Sequence, residues 1–188
     1  MTPAGARERL VSALREHALV IGEVTLSSGQ KAQYYVDAKR AILLPDAFAA
    51  LGELVAEQAR AVDASAVGGV PVSAIPVACA SLAAGFPDKA FIVRKERKEH
   101  GLQRWIEGPE LAQGERCLIV EDVVTTGGST IAALERVREE GLEIAGVVSV
   151  LDRLAGGAEN IRAAAGGAPY VALTTIDDVY PDRPDRAS

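Results

Sequence analysis

The chain has 188 residues, 48% apolar and 24% charged, which suits one domain with a small appended subdomain and excludes disordered, collagen-like and coiled-coil chains. Its formal charge of −6 argues against nonspecific nucleic-acid binding as the main activity, while leaving room for a local basic patch. Aromatics at 4% leave Ala, Val, Leu and Ile to build the core.

Leu10, Val11, Leu14 and Ala18 recur at helical spacing and predict an amphipathic helix over residues 7–18, with His17 as a surface or helix-end residue. Residues 19–40 read as short strands about a turn. Val24-Thr25-Leu26 precedes the break Ser27-Ser28-Gly29-Gln30, and Tyr34-Tyr35-Val36 follows it. Pro45-Asp46 opens a helix to about residue 60, with Phe48, Leu51, Leu54 and Val55 on one face. The rhythm then becomes strand, loop, helix. Strands are expected at 66–70, 90–93, 117–120, 144–151 and 170–173, an Ala-rich helix ends near residue 84, and another at 130–140 is closed by Gly141. Uninterrupted apolar strands separated by helices indicate a parallel sheet covered on both faces.

Cys79 and Cys117 have no Cys or His at metal-ligand spacing, so neither a disulfide framework nor a zinc site is expected, and a reducing cytoplasm fits. Met1 is followed by Thr-Pro-Ala-Gly and charged residues, not by an apolar signal region, and no apolar run is long enough to span a membrane.

The most informative segment runs from Cys117 through Leu-Ile-Val-Glu-Asp-Val-Val-Thr-Thr-Gly-Gly to Ser129. Glu121 and Asp122 stand at the carboxyl end of a buried strand, the edge where open α/β sheets bind ligands. Thr125, Thr126, Gly127, Gly128 and Ser129 then lead into a helix. Free amides, hydroxyls and the positive end of the helix dipole there suit a phosphate monoester. The acids would repel a bare phosphate, so they must address another part of the same ligand, such as vicinal hydroxyls. A sugar phosphate meets both demands.

This stretch resembles the signature of the type I phosphoribosyltransferases, which bind phosphoribosyl pyrophosphate (PRPP). The resemblance implies ribose contacts from Glu121 and Asp122, a 5′-phosphate held by the loop from Val123 and Val124 through Ser129, and Asp122 among the catalytic residues. It gives the donor and leaves the acceptor open.

Five of the eight residues 94–101 are Arg, Lys or His, in a run that leaves the carboxyl end of the 90–93 strand. Its continuation through 102–108 is long for a loop, as lids tend to be. Cations closing over departing pyrophosphate would stabilise its developing charge. The pattern Arg94, Lys95, Lys98, His100, Gly101 is similar to the catalytic loop of the orotate phosphoribosyltransferases. In that family the loop reaches into the neighbouring subunit's site, which implies a homodimer, PRPP contacts from these cations, and Lys98 or His100 in proton transfer.

Two segments fit an anionic pyrimidine carboxylate. Thr25-Leu-Ser-Ser-Gly-Gln-Lys31, followed by Tyr34-Tyr35-Val36-Asp37, resembles the family's orotate segment. Leu151-Asp152-Arg153 places an Arg at a strand end, able to meet a carboxylate with a bidentate fork or to pair with Asp152. The resemblance implies orotate contacts from Ser27, Tyr35, Val36, Thr125 and Arg153. Many relatives carry Lys where Ser27 stands and another Lys in the 69–74 loop, where Val72 and Ser73 occupy the pyrophosphate positions; Lys31 or Lys39 could replace the first.

The implied fold is α/β and type I phosphoribosyltransferase-like: a central, mostly parallel sheet with helices on both faces and a small N-terminal hood. Residues 1–40 would form the first helix and hood beside orotate, 41–180 the core, and 181–188 a frayed tail. The implied reaction transfers ribosyl phosphate from PRPP to orotate, in the cytoplasm, without nucleic acid or membrane. It would use Mg2+ held by substrate and water rather than by a protein cage. A phosphoribosyltransferase for another base and a PRPP-responsive regulator on the same fold are the alternatives.

Overall fold

The computed structural model describes residues 3–25, 31–96 and 104–186. Helix α1 (Pro3–Ala13) continues as one π-helical turn, Leu14–Ala18, and buries Leu10, Leu14 and Ala18 completely. Strands β1 (Leu19–Thr25) and β2 (Lys31–Val36) then pair antiparallel, with Leu19 opposite Val36 and Ile21 opposite Tyr34. This ribbon lies within residues 1–40, the stretch expected to form the hood. A four-residue helix, α2 (Lys39–Ile42), precedes α3 (Pro45–Ala61), which starts at its proline as the fixed φ of that residue favours.

The core follows as β3 (Ala66–Gly69), α4 (Ala74–Ala83), β4 (Lys89–Val93), β5 (Ile106–Glu107), β6 (Arg116–Val124) and α5 (Gly128–Glu139). It closes with β7 (Glu143–Asp152), α6 (Gly157–Ala164), β8 (Tyr170–Thr175) and α7 (Ile176–Val179). These strands form a six-stranded sheet in the order β5-β4-β3-β6-β7-β8, parallel throughout except for β5 at its edge.

Period-two alternation along each strand feeds two cores. Leu118 and Val120 join Leu51 and Val55 of α3 and Val77 of α4 on one face, whereas Ile119 joins Leu134 and Val137 of α5 and Ile161 of α6 on the other. Each fully buried Leu, Ile or Val contributes about 1.5–3 kcal/mol, so the central strands are fixed strongly in register. Cys79 and Cys117 are both free, and burial pushes the Cys117 thiol up to about 12. Among the described residues, no helix is long and apolar enough to cross a membrane.

Three expectations change. Strand β6 runs to Val124, so Glu121 and Asp122 lie within it, paired to β7, rather than just beyond its end. Residues 104–108 are not all loop: β5 returns to the sheet, and Trp105 donates from its indole to Glu139 at 2.7 Å and from its amide to Glu140 at 2.6 Å. The tail is not frayed over 181–186, because Arg183 pairs with Asp177 and Asp185 and Arg186 donates to the Pro181 carbonyl at 2.7 Å.

Candidate active site

The chain runs outward from β3 to β4 and then returns to place β6 on the other side of β3. The carboxyl ends of β3 and β6 therefore flank the point where strand order reverses, and the connections there diverge to leave a crevice. The 70–73 turn stands on one side of it, with Val72 73% exposed and Ser73 half-buried. Strand β6 supplies the other.

Neighbouring residues of a strand face opposite ways, and the acidic pair is divided accordingly. Glu121 faces α5. Its Oε2 accepts hydrogen bonds from Ser129 Oγ at 2.7 Å and Thr130 Oγ1 at 3.4 Å, while Oε1 accepts from the Asp122 amide at 3.2 Å. Burial pushes its carboxyl up to about 7; the Ser129 hydrogen bond opposes this, and the Asp122 charge adds to it. Asp122 faces α2, where Oδ2 lies 3.9 Å from Lys39 Nζ. Lys39 also meets Asp37 at 2.7 Å; that hydrogen bond raises its pKa, burial opposes the rise, and Asp122 adds to it. Sequence left the choice between Lys31 and Lys39 open. Lys31 is paired with Glu23 at 2.7 Å on the exposed ribbon, so Lys39 is the cation beside the acids.

Beyond β6 a cavity of about 180 Å³ is lined by Val123, Val124, Thr125, Thr126, Gly127, Gly128, Ser129 and Thr130. Gly127 caps α5 at φ +83°, in the left-handed region, and a Cβ on it would lie 2.9 Å from Ile161 Cγ1. The loop is braced from behind by α6. Asn160 Nδ2 donates to the Thr126 carbonyl at 3.1 Å, and a Cβ on Gly157 would come within 2.5 Å of the Thr125 carbonyl oxygen. A concave loop of exposed hydroxyls at the start of a twelve-residue helix has the form and charge preference of a phosphate nest. Val124 is 1% exposed, so its side chain serves the core; its carbonyl accepts the Arg153 amide at 2.9 Å.

That hydrogen bond fixes the end of β7 beside the loop. Asp152 is not Arg153's ion-pair partner: its oxygens accept the Leu154 amide at 2.7 Å and the Tyr170 hydroxyl at 3.0 Å. The Arg153 guanidinium instead lies over the Tyr34 ring, 5.1 Å from its centre. The expected wall of Tyr35 and Val36 changes here for the same reason that divides Glu121 from Asp122. Strand β2 sends Val36 into the core at 4% exposure and Tyr35 outward at 38%, so Tyr34 is the aromatic against Arg153. Only a period-two register fixed by pairing with β1 reveals that choice.

In the basic segment, Arg94 Nη1 pairs with Glu107 at 2.6 Å and its Nε donates to the Glu96 carbonyl at 3.0 Å. Arg94, Lys95, Glu96 and Glu107 line a cavity of about 370 Å³ with Pro71, Ile75 and Ile92, which joins this segment to the 70–73 turn. The expected contacts of Ser27, Lys98 and His100 lie outside the described residues.

The family model of the phosphoribosyl transferase domain matches residues 47–165. An orotate phosphoribosyltransferase of Corynebacterium glutamicum is 48% identical over 177 residues, 94% of this chain and 95% of that protein. A crystal structure of the Mycobacterium tuberculosis orotate phosphoribosyltransferase, in complex with Fe(III) dicitrate, matches with a TM-score of 0.83 at 44% identity, covering 93% of this chain and 99% of that one. The structure of the same enzyme with PRPP matches with a TM-score of 0.79 at 40% identity, covering 93% and 98%. Adenine phosphoribosyltransferase of Leishmania donovani, at 16% identity and a TM-score of 0.67, shares the fold alone. With an acidic pair, a concave glycine- and hydroxyl-rich loop at a helix start and an arginine gathered at the carboxyl end of the sheet, the chain belongs to the orotate phosphoribosyltransferases of the phosphoribosyl transferase domain family.

Proposed function

We propose that this site joins orotate to PRPP, giving orotidine 5′-monophosphate and pyrophosphate in pyrimidine biosynthesis. In the reaction the bond from the anomeric carbon to the pyrophosphate oxygen breaks, and a bond to a ring nitrogen of orotate forms. The observation that carries the reading is the juxtaposition at the end of β6 of Asp122, the nest 125–129 and Arg153. They supply hydroxyl recognition, phosphate binding and a fork for a carboxylate.

In this reading the nest holds the 5′-phosphate through amides and hydroxyls, and Asp122 orients the ribose and favours positive charge developing at the anomeric carbon. Glu121 acts by a different route from the one its sequence position suggests. Its carboxylate ties β6 to Ser129 and Thr130, so it shapes the nest as well as adding negative field. Lys39 offsets the Asp122 charge and offers a cation to PRPP, serving where relatives carry Lys at Ser27. Arg153 meets the orotate carboxylate, flanked by Tyr34. Arg94, Lys95, Lys98 and His100 meet the leaving pyrophosphate, with Lys98 or His100 managing its proton.

The family implies magnesium. Among the described residues no group of three His, Cys, Asp or Glu could hold a metal, and the oxygens of Glu121 are already engaged. That donor set fits an ion bound mainly by substrate oxygens and water, with Asp122 the available carboxylate. When bound, the ion would neutralise charge on the pyrophosphate. A homodimer sharing the 94–101 segment and a cytoplasmic location complete the reading.

The test is orotate consumption, followed by loss of its absorbance, with PRPP and magnesium and with each omitted. A panel of adenine, hypoxanthine and xanthine runs in parallel. Turnover of orotate that requires PRPP supports the assignment. Turnover of a purine in its place, or salt-sensitive nucleic-acid binding without turnover, overturns it. In the same assay Lys98→Ala lowers kcat by about 10²–10³, the scale of losing one transition-state charge contact, and leaves the fold unchanged.

A further inference from the structure

The segment after α7 turns back across the hood instead of leaving the molecule. Arg183, whose side chain is only 9% exposed, pairs with Asp177 of α7 and places its Nε 3.2 Å from Asp185 Oδ1. Asp185 in turn accepts the hydroxyl of Tyr34 at 3.0 Å, a contact spanning 151 residues of sequence. Tyr180 meets the same ring edge-on, at 5.4 Å between centroids and 84° between planes. Tyr34 is thus 3% exposed, held at its hydroxyl by Asp185 and packed against the Tyr180 ring, with the Arg153 guanidinium over its own ring at 5.1 Å. Burial raises the Tyr34 phenol pKa; Arg153 opposes this and Asp185 adds to it, so both groups act on one side chain.

We infer that residues 180–186 are a positioning element of the acceptor site: they lock the Tyr34 ring, and the locked ring aims Arg153. This rests on the reading of Arg153 as the orotate contact. An arginine stem has several rotatable bonds, and a fixed aromatic face removes much of that freedom before the ligand arrives. If the ring is released, the guanidinium must be ordered by orotate itself. The weakening should therefore fall on orotate and spare PRPP, whose proposed contacts lie on β6, α2, the nest and the basic segment from Arg94 to His100.

Initial-rate kinetics on the full chain with Tyr34→Phe and with Asp185→Ala test this. Both variants should raise the KM for orotate about five- to tenfold, the scale of one hydrogen bond, with the KM for PRPP unchanged and the Tm lowered by only a few degrees. Asp185→Glu, which retains a carboxylate, should recover part of the loss. An unchanged orotate KM, or equal rises in both KM values accompanied by a fall in Tm, overturns the inference. Arg153→Lys serves as the control. A raised orotate KM in that variant alone leaves the acceptor reading standing and removes the tail's role, whereas an unchanged orotate KM in Arg153→Lys overturns the acceptor reading and this inference with it.

Discussion

Glu121 and Asp122 leave one strand on opposite faces, Glu121 bonding Ser129 and Thr130 and Asp122 approaching Lys39, yet their carboxyls stay close enough that the Asp122 charge raises the cost of charging Glu121. The folded protein holds the Glu121 proton more tightly than the unfolded chain does, since burial carries its carboxyl to about 7. For an acid shifted upward, the stabilising contribution is full below the unfolded value of about 4.3 and is lost as pH rises toward the folded value. Glu121→Gln keeps an acceptor for Ser129 and removes the titration. Without substrate, its Tm relative to wild type should therefore rise between about pH 5 and pH 8 in thermal denaturation. A pH-independent difference would contradict this account of the buried carboxyl.

Gly127 is the second decisive residue. At φ +83°, with Ile161 Cγ1 only 2.9 Å from where a methyl would stand, an alanine meets both backbone strain and crowding. Gly127→Ala should cost on the order of 1–3 kcal/mol, which for a chain of this length lowers Tm by roughly 2–10 °C. Calorimetry giving an unchanged Tm would show that the turn tolerates a side chain.

At the scale of elements, α2 has four residues but brings a cation to the acids. Lys39→Ala leaves Asp122 without that cation and should raise the KM for PRPP by about tenfold, the scale of a charge-assisted hydrogen bond, with the KM for orotate moving less. Kinetics with PRPP varied at saturating orotate would measure it, and an unmoved PRPP KM would remove Lys39 from the site. Helix α6 acts indirectly, by bracing the nest. Gly157→Ala forces a methyl to within 2.5 Å of the Thr125 carbonyl oxygen and of Val124 Cγ1, so it should lower Tm and weaken PRPP binding together. A drop in Tm without weaker binding would separate the brace from the nest.

The elements also show what the sequence could and could not disclose. Short apolar runs such as Cys117-Leu-Ile-Val120, repeated between helical segments, suit buried strands, and Leu10, Leu14 and Ala18 share one helix face, so both were legible. Short elements were not. The two residues of β5 and the four each of α2 and α7 carry no periodicity, and they exist through long-range contacts such as Trp105 with Glu139 and Glu140. The alternating Asp and Arg of 182–186 look like a solvated tail until α7 and Tyr34 supply partners.

For the whole molecule, the site is a consequence of strand order. Reversal between β3 and β6 opens the crevice, and the β6-to-α5 loop lines a concave pocket there with small residues and hydroxyls, the form that the proposed phosphate site needs. The residues lining that concave loop form one continuous segment of sequence, which is why a phosphate site could be proposed for it from sequence alone. Lys39 and Tyr34 could not be placed in that way, because their places depend on how the hood folds over the core: Lys39 approaches Asp122 across 83 positions (122 minus 39) and Tyr34 approaches Arg153 across 119 (153 minus 34). The most direct measurement is a titration of the isotopically labelled protein with ribose 5-phosphate, followed by amide resonances, since this ligand carries both the phosphate and the sugar hydroxyls. The account predicts the largest shifts at the amides of Thr126, Gly127, Gly128 and Ser129, with smaller ones at Asp122. Shifts centred instead on the separate cavity lined by Arg104, Glu110, Gln113 and Glu140, with the 125–129 amides unmoved, would contradict it.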